Sequence, residues 1–416
     1  MPLFRSTLIL ILLLCAAVVQ PLLGGGPIYS RFGLGELIYF GSNRSDAMGG
    51  VSIGLTGDGF INRVNPASLT KISLTRFSGS FEYFRISSTD GTSNGQFNRG
   101  QFKGLAFAIP ISTPHGIVLT GDATPYSTIN YATTFVDDAP SVGSTQTFYG
   151  SGGLNSFNLG TSYQPMPWLA LGAKLNYYLG TTRQLTKVEF TNSTFLNSDI
   201  HSSRYLSGFG GTFGLQYSGF GEHFGSPSLS PLTLGIILTT PVRLNVREER
   251  IVYYNVFDFD TTNTRKTSAD IPLSMGVGMS YTFDGRYVLA SELLLQNWDG
   301  ANFFGTSSVE VRNRARFGIG FEALPAREPT GYWSRVHFRA GFYYHSTYHK
   351  VQGQSINEIV GTIGGGFPIG PDARANIGLH YGVRGTTANN LQKDTIFRLT
   401  LSLSASEMWF VRIEED

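Results

Sequence analysis

Arginine recurs at short, regular intervals in the C-terminal half of the chain: Arg312, Arg314 and Arg316, then Arg335 and Arg339 around His337, then Arg374 and Arg384 around His380. Alternate positions share one face of a strand, so these side chains would form a basic wall, with Glu292 and Glu322 among them. Such a wall could hold a substrate carboxylate through charge-assisted hydrogen bonds. It could equally hold another part of the same chain, through acids such as Glu36, Asp46 and Asp58. Other chemistry is thin. Gly91-Thr92-Ser93-Asn94-Gly95 has the G-x-S-x-G word of hydrolases but lies in a polar stretch, without the strand-to-helix elbow that aims the serine. His337 and His380 fall on the basic, lumen-side face, away from membrane lipid. Asp258 and Asp260 have neither the spacing nor the closing glutamate of a calcium loop. The expectation is a non-enzyme without cofactor or metal.

The elements that would carry this wall show a period of two. Between Asp270 and Phe283, Ile271, Leu273, Met275, Val277, Met279, Tyr281 and Phe283 face one way, and polar or small residues including Gly276 and Gly278 face the other. Leu232 to Arg247, Arg312 to Glu322 and Ala373 to Arg384 repeat the pattern. About fourteen such strands are expected, near 72–86, 101–111, 115–126, 153–164, 167–182, 203–218, 231–247, 270–283, 286–297, 310–323, 332–346, 356–368, 373–385 and 394–410. Short links such as Asp284-Gly285, a two-residue hairpin signal, alternate with long polar ones, Ser127–Gly152, Arg183–Ser202 and Glu248–Ala269.

Composition narrows the class. The chain has 416 residues, 51 of them glycine, with 14% charged and 13% aromatic, far from the usual balance of a soluble enzyme. With 31 basic and 29 acidic residues, no basic surcharge points to nucleic acid. Arg5 and the apolar run Leu8 to Val19 form a secretory signal peptide, assigned to residues 1–25; twelve apolar residues are too few to span a bilayer. The only cysteine, Cys15, would be removed with it. No later stretch is long and apolar enough for a membrane helix, so a membrane protein of this sequence must be a closed barrel. The expected fold is all-β: a transmembrane antiparallel β-barrel over residues 72–410, an N-terminal hatch or plug over the glycine-rich, non-alternating residues 26–71, and a periplasmic tail, 411–416. With the short links in the periplasm, Trp168, Trp333 and Trp409 fall at the lower ends of strands, where an aromatic girdle belongs.

Within the plug, Ala47-Met48-Gly49-Gly50 followed by Asn65-Pro66-Ala67-Ser68-Leu69 resembles the hatch signature of the FadL-type outer-membrane transporters of long-chain fatty acids and aromatic hydrocarbons. Ile271-Pro272 with Gly276 and Gly278, Tyr287 to Glu292, Asn297-Trp298, Arg316 to Glu322 and Arg339 to Tyr344 are similar to that family's strand patterns. The start Ile28 to Glu36 and the extension past Phe410 depart from it and mark a distant branch.

The resemblance implies passive uptake of a hydrophobic small molecule across the outer membrane of a Gram-negative-type bacterium, with sideways exit into membrane lipid while the hatch shifts. Hatch or gating residues would be Gly49, Gly50, Asn65, Pro66 and Ala67. Gly121, Asp122 and Pro125 weaken the third strand and mark it as a lateral opening, or as a plain bulge. The alternative is a barrel of the same architecture serving as a partner-binding or secretion-system accessory subunit, docking a protein at its extracellular loops; Tyr131, Phe135 and Phe148, or Tyr253, Tyr254, Phe257 and Phe259, could serve either role.

Overall fold

The computed structural model describes residues 28–137, 143–192, 194–254, 258–307 and 311–407, without the side chains of 258–263. The expected signal peptide, Phe257, Trp409, Phe410 and the C-terminal tail lie outside these residues, as do the side chains of Asp258, Phe259 and Asp260.

Fourteen antiparallel strands close into one barrel. They are β1 (Thr75–Thr89), β2 (Asn94–Ser112), β3 (Ile117–Asp137), β4 (Ser144–Met166), β5 (Leu169–Phe190), β6 (Ser198–Tyr217), β7 (Leu232–Thr239 and Val242–Tyr254), β8 (Asp258–Ile271 and Ser274–Phe283), β9 (Tyr287–Gln296), β10 (Arg314–Ala323), β11 (His337–Val351), β12 (Gln354–Pro368), β13 (Ala373–Gly385) and β14 (Lys393–Glu407). Pro241 and Pro272 fall in the breaks within β7 and β8, as expected of a residue that cannot donate to a ladder. The barrel closes by pairing β14 with β1, from Lys393 opposite Thr89 to Glu407 opposite Thr75.

Alternation sorts side chains in the sense of a membrane barrel. Met275, Val277 and Met279 of β8, Leu289, Leu293 and Leu295 of β9, and Phe338, Phe342 and Tyr344 of β11 face outward and are exposed. Glu292, Arg316, Glu322, Arg339 and His380 face inward and are buried. A soluble β-protein hides its apolar face; a barrel in lipid presents it.

The wall is lopsided. Strands β3 to β6 run 21, 23, 22 and 20 residues, whereas β9 and β10 have 10 each. Crossing a bilayer takes about 9–11 residues per strand. The stretches expected as long loops, Ser127–Gly152, Arg183–Ser202 and Glu248–Ala269, are therefore mostly strand: pairing continues up to Asp137 opposite Ser144 and Val188 opposite Ser198. Ladder hydrogen bonds need no apolar face, so rows of Thr, Ser and Gln extend the hairpins beyond the apolar band.

Residues 28–71 run down the lumen to the lower end, where the chain enters β1. At the upper end Tyr29 packs with Val351, Ile356 and Leu391. Glu36–Leu37 forms a two-residue strand on β3. Lower down, α1 (Asn43–Asp46) is capped by a reciprocal Ser42–Ser45 pair, and a 3₁₀ turn, Pro66–Lys71, closes the segment. The small inward faces of the wall strands make room for this backbone. A Cβ on Gly341 would stand 2.2 Å from the amide of Gly49, and one on Gly235 would stand 2.0 Å from the carbonyl oxygen of Ile53.

Candidate functional site: the filled lumen and the split in its wall

Buried charge fixes the lower part of the luminal segment. Glu292 of β9 accepts from the amides of Ser52 at 2.6 Å and Ile53 at 3.1 Å, and its other oxygen takes Arg316 Nη1 at 3.0 Å. Arg316 Nη2 in turn donates to the carbonyl of Gly49 at 2.6 Å. Glu322 holds Arg44 of α1 at 2.5 Å and Arg339 of β11 at 2.8 Å. Lys103 donates to Asp46 at 2.7 Å and to Glu82 at 3.0 Å, while His380 Nε2 lies 3.1 Å from Asp46. Burial pushes the Asp46 carboxyl up, but Lys103 and His380 outweigh it and hold that carboxyl well below the usual range. Asn65 caps the 3₁₀ turn through the amide of Ala67 at 3.0 Å and donates to Ile53 O and Leu215 O at 2.8 and 3.2 Å, with Pro66 at the first helical position.

The upper lumen is filled differently. Leu34 and Leu37 of the segment pack with Leu154, Leu206, Val242, Leu244, Trp298, Phe303 and Tyr348. Trp298 and Phe303 lie in the connection after β9, which folds inward, and the Trp298 ring stacks on Tyr348 at 4.5 Å between centroids.

One place in the wall is not a continuous ladder. β2 and β3 pair from Ser112 opposite Ile117 up to Leu105 opposite Ala123, and above that, among the described residues, they do not pair. The cause lies in β2. A bulge opposite Ser80 and Phe81 leaves Lys103 unmatched, next to Gly104 at φ +140°. The extra residue bends the strand away and aims Lys103 into the lumen. The freed edge of β3 is taken by the luminal segment: Glu36 opposite Thr128, Leu37 opposite Ser127, and the amide of Ile38 on Tyr126 O at 2.9 Å. Across the split Arg99 of β2 reaches Thr128 Oγ1 at 2.8 Å. Behind it lies a cavity of about 90 Å³, lined by Leu37, Tyr39, Phe84, Ile86, Tyr343 and Tyr348 beside Glu36, Lys103 and Arg398.

Gly121 and Asp122 are paired on both sides and sit just below the split, whereas Pro125 lies above it, at a bulge against β4. Of the basic wall, Arg314, Arg316, Arg339 and Arg384 are buried in the lumen; Arg314 donates to His345 at 2.9 Å and Arg384 bridges Asp394 at 2.8 Å and Glu36 at 2.5 Å. Arg374 lines a second cavity at the lower end. Arg312 precedes β10, half-buried, and donates to the carbonyls of Thr347 and Ile356. Arg335 is a correction: it belongs to an exposed 3₁₀ turn, Trp333–Arg335, outside the lumen, because β11 begins only at His337. Ser93 of the hydrolase word stands in the exposed turn between β1 and β2. Lys103 and Arg44, both central to the anchor, escaped the sequence analysis.

A fourteen-stranded barrel of outward-apolar alternation, filled by its own N-terminal segment, defines the FadL-type fold. Solved structures share it: the Ralstonia pickettii toluene transporter TbuX at TM-score 0.58 and 14% identity, covering 88% of this chain and 98% of that one, and a Pseudomonas aeruginosa FadL homologue at TM-score 0.59 and 12% identity, covering 90% and 99%. The CymD monoaromatic hydrocarbon channel is similar at TM-score 0.56 and 14% identity, covering 89% and 99%. No curated protein matches significantly. Within this fold class the chain belongs to the BamG family, whose pattern it matches over residues 3–415.

Proposed function

We propose that the protein is an outer-membrane channel of a Gram-negative-type bacterium, passing hydrophobic small molecules sideways through the split between β2 and β3, with residues 28–71 as its hatch and the lower end in the periplasm. The observation that carries this reading is the wall split backed by a partly apolar cavity and closed on β3 by the short stretch Glu36 to Ile38, with Ser30 Oγ exchanging hydrogen bonds with the backbone of Asn130 above it. Similarity of fold to toluene and monoaromatic hydrocarbon channels supports it. Release of these three residues from β3 opens the gate; axial passage is blocked by the lower anchor and the Trp298 cluster.

Leu37→Cys with Ser127→Cys tests the gate. These residues face each other in register, where Cα atoms of antiparallel pairs lie about 4.5–5.5 Å apart, within disulfide range. Cells carrying the oxidised pair lose uptake of radiolabelled toluene or long-chain fatty acid, and reductant restores it. Unchanged uptake in the oxidised pair contradicts the gate.

A second reading rests on a different observation. The lumen is sealed by buried ion pairs, and the tall hairpins of β3 to β7 expose Phe135, Val136, Tyr149, Leu196, Tyr253 and Tyr254. That arrangement supports a partner-binding or accessory subunit docking a protein on its extracellular hairpins. Absence of uptake by the unmodified protein, with capture of a specific partner lost on Phe135→Ser and Tyr149→Ser, would favour it.

A further inference from the structure

A second cavity, about 220 Å³, lies at the lower end between the luminal segment and the wall. Arg44, Arg339 and Arg374 line it with Asn43, and Phe60, Val288 and Leu324 form an apolar side. Its charges do not balance. Arg44 and Arg339 share the single carboxylate of Glu322, and His337 Nδ1 takes a further place on it at 2.8 Å. The neighbouring acid Asp58 is engaged by Ser73 at 2.5 and 3.1 Å and by Arg76 at 3.6 Å. Arg374 makes no ion pair among the described residues, and its Nε is buried without a protein acceptor. Asn43, only 6% exposed, also leaves its Nδ2 without one. Gly59, in the lining, is exposed and carries no side chain to close the cavity.

We propose that this cavity binds a small organic anion, a carboxylate or phosphate head with a short apolar tail, entering from the lower end. The head meets Arg374 and Asn43, with Arg44 and Arg339 adding positive potential; the tail lies along Phe60, Val288 and Leu324. Two buried guanidinium groups and a third, partly buried one around a single carboxylate are costly, and a bound anion offsets that imbalance. The volume is below the roughly 300–1,000 Å³ of drug-sized sites, which restricts the tail to a short one. The inference is independent of the lateral route.

Isothermal titration of the full-length barrel in non-ionic detergent, with hexanoate and with inorganic phosphate, tests it. The expected result is saturable one-to-one binding of both, hexanoate the tighter. Arg374→Gln weakens both at least about tenfold, the scale of one lost charge-assisted hydrogen bond, whereas Arg374→Lys retains most of the affinity. Leu324→Asn weakens hexanoate alone. Heat-modifiable migration on gels verifies that each variant is folded. No saturable binding by the unmodified barrel, or equal affinity in folded Arg374→Gln, overturns the proposal; equal response of both anions to Leu324→Asn overturns its apolar tail.

Discussion

The two halves of the luminal segment are held by different physics. Below Asn43, the segment is fixed by carboxylates and cations with almost no access to water: the side chains of Glu292 and Glu322 are both 0% exposed. Above it, residues 28–38 are held by apolar packing, a two-residue strand and scattered hydrogen bonds, and the Glu36 side chain is 24% exposed. The backbone hydrogen bonds of so short a strand contribute only a few kcal/mol net. Removing one partner of a buried charge cluster costs more, because the other charges stay behind unpaired. Where the wall is continuous the segment is pinned; where it splits, the segment is the wall.

The strongest test of this contrast is Glu322→Gln. It strands Arg44 and Arg339 without a counter-charge, and a loss of about 3–5 kcal/mol is expected in thermal unfolding of the detergent-solubilised barrel. Gly341→Ala comes next. Its methyl collides with the backbone at Met48 and Gly49, so overpacking should cost about 1–3 kcal/mol without changing any charge. Glu36→Gln in the upper half should cost about 1 kcal/mol or less, since Arg384 keeps Asp394 and Glu36 is partly solvated. The smallest effect concerns acidity. The Asp46 carboxyl is held below its unfolded value, so its contribution is fully present above about pH 4 and is lost only as pH falls through the lower folded value. Unfolding of the unmodified barrel and of Asp46→Asn, compared at pH 7 and pH 5, should differ by the same amount at both; a gap that closes at pH 5 would show that Asp46 is not so held.

The strands were legible because lipid and lumen print directly onto alternate residues: each of the fourteen expected segments overlaps an observed strand. Their upper ends were not, since Thr- and Ser-rich hairpins in water keep their ladder without an apolar signature. Gly320 and Gly341 were visible only as a small face; that they admit the backbone of Met48 and Gly49 is a tertiary fact. Arg316, Arg339 and Arg384 could be placed by alternation. Lys103 could not, because the bulge beside Gly104 shifts the alternation there, and Gly104 inside a strand was the only local signal. Arg335 failed for the opposite reason: alternation was carried past the true start of β11 into a turn.

Native-state hydrogen exchange on the folded barrel tests the contrast most directly. The amide of Ile38, bonded to Tyr126 O, belongs to the upper half of the segment, and the amides of Ser52 and Ile53, bonded to Glu292, belong to the lower half. The account predicts that Ile38 exchanges through local opening at least about a hundredfold faster than Ser52 and Ile53, which exchange only with wider unfolding. Equal protection at all three amides would mean that the segment moves as one body or not at all, and would contradict a gate at the split.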